Sequence, residues 1–212
     1  MQIYEVNFEI AGYAAMFTRP DSGAAQVSYP APTFSAAKGM FEAIACLRGD
    51  KNNHNKGAAT IRPTKVDICA PIKFHKYTTN YGGPLRKGNQ LAKGSSYQIP
   101  ATILIDVCYR LYGIVESVSM SRNGTNHLHY LQDLFFRRLK QGRFYYTPCL
   151  GWKEFVPSYV GAFREGTKKQ EDINMVIPSM LHSVFDKISD GQISPTYTVD
   201  AEIKKGELIY AK

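Results

Sequence analysis

Three segments of the chain alternate between apolar and polar side chains, and this pattern limits the fold more than any other feature. A period of two residues is typical of a β-strand with one buried face. The apolar positions are Tyr4, Val6, Phe8 and Ile10 in the first segment, Val66, Ile68, Ala70, Ile72 and Phe74 in the second, and Ile103, Ile105, Val107, Tyr109 and Leu111 in the third. The sequence therefore predicts three half-buried strands, the third ending near Gly113.

Two helices are predicted between and after these strands. The first is capped by Thr33 and presents an apolar stripe at spacings of three and four residues. The stripe consists of Phe34, Ala37, Phe41 and Ile44. The second helix begins near Thr125 or Asn126 and ends at Gly142, a residue suited to the left-handed conformation that closes many helices. Its expected buried residues are Leu128, Leu131 and Phe135.

The order of these elements predicts an α+β fold. Strand, helix, strand, strand, helix and strand follow one another in the ferredoxin-like (RRM-like) βαββαβ plan, and RNA-recognition modules with this plan bind single strands on an open sheet face. Further strands are expected near 173–177, 196–203 and 207–210. We therefore predict a ferredoxin-like domain at 1–145 with a long basic loop at 76–100. Residues 146–212 are expected to form a glycine turn and a β-rich C-terminal extension.

Positive charge is concentrated in one part of the chain. The protein has 26 Lys and Arg against 18 Asp and Glu, a net charge of +8, and residues 51–100 contain nine basic side chains and one acid, Asp67. Concentrated positive charge favours a polyanionic partner, because each neutralised phosphate releases counterions. Tyr77, Tyr81 and Tyr97 in this stretch offer rings on which unpaired bases can stack. The alternative is a solubilising loop; a membrane partner is not supported, since no basic amphipathic helix accompanies the charge.

Several classes of protein and cofactor are excluded because their sequence patterns are absent. The chain has no run of 18 apolar residues for a membrane span, and its first residues follow a strand pattern instead of a secretory signal. It has neither GxxxxGK[S/T] nor GxGxxG, and no HExxH or DxDxDG pattern. Cys46, Cys69, Cys108 and Cys149 have no metal-site spacing and are expected to be free thiols in a reducing cytoplasm. We therefore predict a cytoplasmic protein with no metal and no small-molecule cofactor.

Histidines are the candidate catalytic residues if the protein cuts RNA. A two-metal nuclease needs convergent carboxylates, which this sequence does not cluster, so the remaining route is acid–base catalysis with the RNA 2′-hydroxyl as nucleophile. His127 and His129 flank Leu128 at the start of the second helix, where the dipole favours a neutral ring that can act as a base. Both are equally consistent with surface histidines at a helix start. His75 lies beside Lys73 on a polar strand face and is a candidate RNA contact.

Motifs at four places in the chain together resemble one protein family. They are Phe-Thr-Arg-Pro at 17–20, Ser-Tyr-Pro-Ala-Pro-Thr-Phe-Ser-Ala-Ala-Lys-Gly-Met-Phe-Glu-Ala-Ile at 28–44, Phe-Arg-Arg-Leu-Lys-Gln-Gly at 136–142, and Pro-Cys-Leu-Gly-Trp-Lys-Glu-Phe at 148–155. In this combination the chain resembles, over residues 3–160, the CRISPR-associated fifth Cas family in its type I-C form. That family is a member of the repeat-associated RNA-binding superfamily.

The resemblance implies a ferredoxin-like domain with a β-rich C-terminal extension, and it implies a function. Type I-C members bind the CRISPR repeat, cleave the precursor at the base of the repeat hairpin, and stay on the 5′ handle of the guide RNA in a surveillance complex with backbone and large subunits. The RNA contacts expected from the resemblance and the charge pattern are Arg19, Tyr29, Lys38, Lys73, His75, Lys76, Arg86, Lys87, Gln98, Arg137, Arg138, Gly151, Trp152 and Lys153. Gly151 would let the backbone approach a phosphate closely. For Arg137 and Arg138, the negative end of the helix dipole is an alternative reason for their position.

The chain departs from the family pattern at the expected active site. Ala45 stands where the family has a tyrosine or another ring, and His127 lacks the lysine that accompanies it in the family; only Gln98 is kept of an Arg-Gln-Gln-Arg motif. Two hypotheses therefore stay open. One is an endoribonuclease with His127 as base and His129 as second choice; the other is a non-catalytic subunit that caps the 5′ handle while another nuclease processes the precursor. A third is an unrelated basic RNA-binding protein, such as a ribosome-associated module.

Overall fold

The computed structural model describes residues 3–47, 58–81, 97–119, 126–184, 188–189 and 192–210, which form eleven strands and two helices. The strands are β1 Glu5–Ala15, β2 Gln26–Val27, β3 Ala59–Ile68, β4 Phe74–Tyr81, β5 Tyr97–Ser117, β6 Tyr159–Gly161, β7 Met175–Ser183, β8 Ile188–Ser189, β9 Gln192–Ile193, β10 Thr196–Lys204 and β11 Glu207–Ile209. The helices are α1 Phe34–Ile44 and α2 His127–Gln141. In the part of the chain described, neither helix has the length and apolar character of a bilayer span.

One sheet of nine strands joins the N-terminal and C-terminal parts of the chain. Its main path is β6-β1-β5-β3-β11-β10-β7, and each strand is antiparallel to its neighbours. The first half of β5 also pairs with β2 in parallel and with β4 antiparallel, while β8 and β9 form a separate pair. The tail strands expected near 196–203 and 207–210 are confirmed, and the one expected near 173–177 begins at Met175 and continues to Ser183. The division of the chain at residue 145 stays a prediction.

The alternation in β1 buries one face of the sheet under the two helices. Its predicted apolar residues Tyr4, Val6, Phe8 and Ile10 are all buried. Phe8 contacts one ring of each helix in edge-on geometry: Phe41 of α1 at a centroid distance of 5.0 Å and Phe135 of α2 at 6.0 Å. Burial of one apolar side chain of this size stabilises the folded state by about 2 kcal/mol. The layer in which the two helices pack on the sheet is the main core of the protein.

Both helices begin and end where the sequence predicts. The Thr33 hydroxyl accepts a hydrogen bond from the backbone N–H of Ala36 at 3.1 Å, and the whole predicted stripe of α1 is buried. Asn126 caps α2, and Gly142 ends it with a φ of +64°. The buried residues of α2 are Leu131, Leu134, Phe135 and Leu139. Leu128, which was also predicted to be buried, is half-buried.

The single strand predicted over residues 66–74 is wrong, because the chain divides this range between β3 and β4. The reason lies in β5, which has 21 residues. Two of its partners follow one another along it: β3 pairs with Tyr109–Ser117 and β4 with Tyr97–Leu104. Pro71, between the two strands, has no N–H to donate to a ladder. Asp106 of β5 has a φ of +55° at the point where the partner changes. The alternation of apolar and polar residues therefore continues through residues 69–73, although the chain leaves β3 at Ile68 and enters β4 only at Phe74.

The basic loop predicted at 76–100 is wrong at both of its ends, and residues 82–96 lie outside the described residues. Residues 76–81 and 97–100 belong to β4 and β5, which pair with each other as a hairpin. Arg86 and Lys87, predicted to contact RNA, lie outside the described residues. β5 also continues past Gly113, its predicted end, to Ser117.

The middle of the second face of the sheet is covered by residues 162–170, which follow β6. Glu9 of β1 lies on this face and is fully buried. Its carboxylate accepts hydrogen bonds from Arg110 Nε at 3.1 Å, from Arg164 Nε at 2.5 Å and from Thr167 Oγ1 at 2.9 Å. Residues 162–170 therefore close the part of this face around Glu9, whereas RNA-recognition modules leave the corresponding face open for single strands. Tyr13, on the same face of β1, is 79% exposed.

Candidate functional site

His127, the first residue of α2, lies where three elements meet. Its Nε2 atom is 2.8 Å from the Oγ atom of Ser117, the last residue of β5. Asn126 accepts a hydrogen bond from the backbone N–H of His129 and donates one from Nδ2 to the hydroxyl of Tyr4 at 2.6 Å. Tyr4 directly precedes β1. Side-chain hydrogen bonds therefore fix the beginning of α2 to the end of β5 and to the start of β1.

His129 lies on a different side of the helix, because residues two apart on a helix do not face each other. Its Nδ1 atom is 3.4 Å from Oδ2 of Asp133, and its ring packs edge-on against Tyr4 at a centroid distance of 5.9 Å. His129 is exposed, whereas His127 is half-buried. The two predicted catalytic histidines are thus neighbours in the chain with separate partners, and they do not form one acid–base pair.

The contact between His127 and Ser117 leaves the Nδ1 atom of His127 for proton transfer. Nδ1 has no hydrogen-bond partner among the residues that the structure describes. If Nε2 donates to the serine hydroxyl, Nδ1 is an acceptor; if Nε2 accepts, Nδ1 carries the proton. The unpaired N–H groups of the first helical turn place partial positive charge at the same end of α2. This arrangement can move a proton and attract an anionic group. The described residues contain no group of three His, Cys, Asp or Glu side chains suited to a metal ion.

The predicted RNA contacts of the β4–β5 hairpin lie toward the opposite end of β5. The exposed ones are His75, Lys76 and Gln98. Lys73 precedes the hairpin, and its Nζ atom is 3.6 Å from Oδ2 of Asp106. Lys76 pairs with Thr102, fifteen residues before Ser117, which corresponds to about 50 Å along an extended strand. The structure therefore does not bring the hairpin cations close to His127.

The glycine turn at 148–155 packs against this hairpin through aromatic rings. Trp152 stacks on Phe155 with ring centroids 5.8 Å apart, and Phe155 meets Tyr77 of β4 edge-on at 5.7 Å. The indole Nε1 of Trp152 donates a hydrogen bond to Oγ1 of Thr18 at 2.9 Å. The structure thus brings two aromatic residues that the sequence singled out, one from the turn and one from β4, into a single row of rings.

The prediction that Tyr29 contacts RNA is wrong, because its ring is 2% exposed and cannot stack on a base. Its hydroxyl accepts a hydrogen bond from the backbone N–H of Leu181 at 3.1 Å, and burial raises the pKa of this hydroxyl. Arg19, by contrast, is exposed; its guanidinium pairs with the carboxylate of Asp21 at 2.6 Å and lies 5.8 Å from the centre of the Tyr29 ring. Tyr29 therefore belongs to the core that supports Arg19.

Gly151 is required by the fold itself. Its φ is +91°, and a Cβ atom built on it would overlap the carbonyl oxygen of Met16. The backbone N–H of Met16 donates to the carbonyl of Leu150 at 2.9 Å, which holds the two segments together. Close approach of another backbone segment explains this glycine, so its predicted contact with a phosphate has no independent support. Lys153, two residues later, is exposed.

The predicted RNA contacts on the helices have different environments. Arg137 of α2 is exposed, and Lys38 of α1 is half-buried. Arg138 is half-buried; its Nη1 atom donates to the carbonyl of Ile44 at 3.5 Å, and its guanidinium lies 5.6 Å from the centre of the Tyr145 ring. Arg138 therefore connects the end of α2 to the end of α1, which is a structural role that the sequence did not indicate.

Ala45, where the resemblance implies a ring, is 1% exposed. The two carbonyls just before it, those of Ile44 and Ala43, accept hydrogen bonds from the backbone N–H groups of Tyr145 and Tyr146 at 3.2 and 3.1 Å. Two tyrosines from the segment after α2 thus lie beside this end of α1. Sequence reasoning missed them, although their position in a stretch rich in arginine was a usable signal.

A family model described as CRISPR-associated protein (Cas_Cas5), in its Cas5d form, matches residues 6–194 of this chain. The chain is 27% identical over 168 residues to the CRISPR pre-crRNA endoribonuclease Cas5d of Mannheimia succiniciproducens; the alignment covers 71% of this chain and 69% of that protein. It is 30% identical over 152 residues to the protein of the same name from Thermus thermophilus, with 71% of this chain and 61% of that protein covered.

Solved structures share the fold at low sequence identity. A CRISPR-associated protein known from its crystal structure superposes with a TM-score of 0.70 at 18% identity, covering 100% of this chain and 95% of that one. A functionally uncharacterised protein from Streptococcus mutans gives 0.65 at 16% identity, with 98% and 92% covered. A chain of a CRISPR RNA-guided surveillance complex gives 0.51 at 12% identity, with 97% and 90% covered. Because the family model spans most of its length, the chain belongs to the Cas5 family of CRISPR-associated proteins, in the type I-C form named Cas5d.

Proposed function

We propose that this chain binds CRISPR repeat RNA, cuts the precursor, and then holds the 5′ handle of the guide RNA in a type I surveillance complex in the cytoplasm. The family match and two relatives named CRISPR pre-crRNA endoribonuclease support the proposal. The alignments cover 69% and 61% of those relatives, so the complete activity is itself part of the proposal. Contacts with the backbone and large subunits also belong to it. An unrelated basic RNA-binding protein is excluded by the family membership.

The fold assignment within the proposal is a ferredoxin-like domain. In chain order β1, α1, β3, β5, α2 and β6 follow the βαββαβ plan, and the four strands lie side by side as β6-β1-β5-β3. The strands β7, β10 and β11 then form the β-rich C-terminal extension. The division into residues 1–145 and 146–212 is kept as part of this proposal.

The observation that carries the catalytic part is the hydrogen bond between His127 and Ser117 at the start of α2. We assign the reaction to attack of an RNA 2′-hydroxyl on the adjacent phosphorus. The His127 ring takes the proton from this hydroxyl, and the new P–O bond gives a 2′,3′-cyclic phosphate as the bond from phosphorus to the 5′-oxygen breaks. The leaving 5′-oxygen receives a proton from solvent water. The positive end of the α2 dipole stabilises the charge that develops on the phosphate. His129 is the second choice for the base.

The binding part of the proposal rests on exposed basic side chains at the other end of β5. His75, Lys76, Lys153 and Arg19 are exposed around the hairpin and the glycine turn. We assign this region to the 5′ handle, since phosphate contacts supply most of the affinity for RNA. Cutting and holding would then use different ends of the molecule.

A capping subunit without catalysis is the second candidate, and one observation favours it. Ala45 offers only a buried methyl group at the position where the resemblance implies a ring. A chain that lost its catalytic residues would keep the cations around the hairpin and the glycine turn. The two candidates therefore differ in cleavage and agree in binding.

Single-turnover cleavage of repeat RNA in EDTA separates them. We expect wild type to cut, and His127→Ala to cut about 10² to 10⁴-fold more slowly, with unchanged affinity. His129→Ala should retain most of the rate. His75→Ala is the matched control, because it removes an exposed histidine far from α2 and should change affinity without changing the rate at saturating protein.

The outcomes are distinct. Tight binding of the handle without cleavage by wild type would establish the capping function. Cleavage by wild type with both α2 variants undiminished would remove these histidines from the mechanism. Cleavage that EDTA abolishes would contradict acid–base catalysis by side chains alone.

A further inference from the structure

The end of α2 and the segment that follows it form a basic surface that carries two tyrosine rings; we call residues 137–147 the tyrosine surface. From Leu134 to Lys153 the chain contains no acidic residue. The basic residues in this stretch are Arg137, Arg138, Lys140, Arg143 and Lys153. Such a run, which contains no carboxylate of its own, favours an anionic partner.

The two rings of this surface are Tyr145 and Tyr146, which are 47% and 45% exposed. Their centroids are 5.6 Å apart and their planes are inclined at 61°. Rings buried for stability would be covered by other apolar side chains, whereas these present about half of their surface to water. This exposure favours a partner whose own flat groups stack on the two rings.

The backbone under the rings is fixed by the end of α1. The N–H groups of Tyr145 and Tyr146 donate to the carbonyls of Ile44 and Ala43, and the Tyr146 hydroxyl donates to the carbonyl of Gly39 at 3.3 Å. Because the rings are held before any partner arrives, less conformational entropy is lost on binding.

A groove of about 670 Å³ runs beside Tyr146. Arg143, Phe144, Tyr146, Thr147 and residues 156–160 are among the residues that line it. The groove has space for a flat group, and Tyr146 and Arg143 both lie on its lining. The structure thus combines an aromatic ring, a cation and an open space at one place.

Unpaired RNA fits this combination better than a protein partner does. Single-stranded RNA is recognised by aromatic side chains on which bases stack and by cations that contact the backbone. A protein partner that covered the same surface would have to supply carboxylates for four basic side chains. We propose that the tyrosine surface binds unpaired nucleotides of RNA, with bases stacked on Tyr145 and Tyr146 and phosphates near Arg137, Lys140 and Arg143.

The proposed surface is separate from the candidate catalytic residue. His127 and Gln141 are the two ends of α2, and a helix of 15 residues is about 20 Å long. Variants of the tyrosines therefore leave His127 and Ser117 unchanged. The inference rests on the proposed function for the identity of the RNA as CRISPR repeat, but binding to single strands can be measured without it.

The test measures the affinity of the full chain for a labelled single-stranded oligouridylate. We expect Tyr145→Ala and Tyr146→Ala each to weaken binding about tenfold, or about 1.4 kcal/mol, since each variant loses one base-stacking contact. Tyr145→Phe should bind like wild type, because stacking needs the ring and not the hydroxyl. Tyr146→Phe should lose much less affinity than Tyr146→Ala, because it keeps the ring and loses only the hydrogen bond to the Gly39 carbonyl. Tyr197→Ala, which removes a ring that is also 47% exposed on β10, is the matched control and should have no effect.

Photocrosslinking of wild type to oligo-5-iodouridylate gives a second measurement that needs no substitution. Crosslinks at Tyr145 or Tyr146 are expected. Unchanged affinity of the Tyr145→Ala/Tyr146→Ala variant, or crosslinks that map only elsewhere, would overturn the proposal. If wild type binds neither oligouridylate nor repeat RNA, the proposed function fails as well; if it binds and cuts repeat RNA while the double variant does so equally, only this inference fails.

Discussion

At the scale of single residues, Glu9 shows how one carboxylate can connect distant parts of the chain. It is fully buried between β5 and residues 162–170, and it accepts hydrogen bonds from Arg110, Arg164 and Thr167. Burial by itself raises the pKa of Glu9, but the hydrogen bonds from Arg164, Thr167 and Arg110 together outweigh it and hold the pKa below the ordinary value of 4.5. The ionised form of Glu9 therefore stabilises the folded state.

Glu9→Gln should lower the free energy of unfolding by about 2 kcal/mol at pH 7, because it leaves two arginines without their counter-charge. Since the pKa is lower in the folded state, the contribution of the carboxylate is present above pH 4.5 and is lost as the pH falls below it. Urea unfolding at neutral pH and below pH 4 measures this dependence. The difference between wild type and variant should shrink in acid, and a constant difference would contradict the assignment. Glu5→Gln, at an exposed position of the same strand, is the control.

Gly151→Ala should destabilise the protein by about 3 kcal/mol, because a positive φ and an overlap with the Met16 carbonyl both oppose a side chain there. Gly142→Ala is the matched control. It also has a positive φ, but its Cβ would meet open space, so a loss of about 1 kcal/mol is expected. Thermal unfolding of both variants makes the comparison. Equal losses would show that the close approach of Met16 contributes nothing.

The sequence predicts residues whose roles are local and misses those whose roles depend on distant contacts. Thr33 and Gly142 could be assigned because a cap acts on backbone groups within a few residues. The burial of Tyr29 depends on Leu181, and the position of His127 depends on Ser117. No spacing in the sequence encodes these two contacts, since they arise only when β7 and the end of β5 reach their places.

At the scale of elements, β5 organises the molecule. Alternation in its middle predicts a strand, but its full length of 21 residues is set by the partners that pair with its two halves. Pro100 lies within its first half, and Gly113 within its second half. Such residues normally suggest a strand end, so the sequence underestimated the length of β5.

The start of α2 offers a test at this scale. Asn126→Ala should cost about 1 kcal/mol of stability, because the cap of His129 N–H is lost. Asn126→Asp keeps an equally good cap and loses only the hydrogen bond that Nδ2 donates to Tyr4. We therefore expect Asn126→Asp to stay near wild type in urea unfolding. If both variants lose stability equally, the bond to Tyr4, and not the cap, is what holds the helix start.

At the scale of the whole molecule, the C-terminal strands complete the core that the N-terminal half begins. Leu208 of β11 pairs with Val66 of β3, and both are buried. The Tyr210 hydroxyl donates to the carbonyl of Pro32 at 3.0 Å, and His182 stacks on Phe34 with ring centroids 4.1 Å apart. The start of α1 is therefore held by the last strands of the chain, although the hydrogen-bonded residues are 147 positions apart for Ser35 and His182 and 178 apart for Pro32 and Tyr210.

This continuity predicts that residues 1–145 and 146–212 unfold together. One sheet runs from β6 to β7 through both parts, so opening either part exposes apolar residues of the other. Calorimetry of the full chain should give a single transition whose calorimetric and van't Hoff enthalpies agree. A chain truncated after Gly161 should fail to give a cooperative transition, because β3 would lose its neighbour β11 and α1 would lose its contacts with β7.

Ile203→Ala is the matched test in the intact chain. It makes a cavity in β10 that should lower the free energy of unfolding by about 3 kcal/mol. The variant should lower the melting temperature of the whole transition, whereas two separate transitions, with only one of them shifted, would establish independent domains.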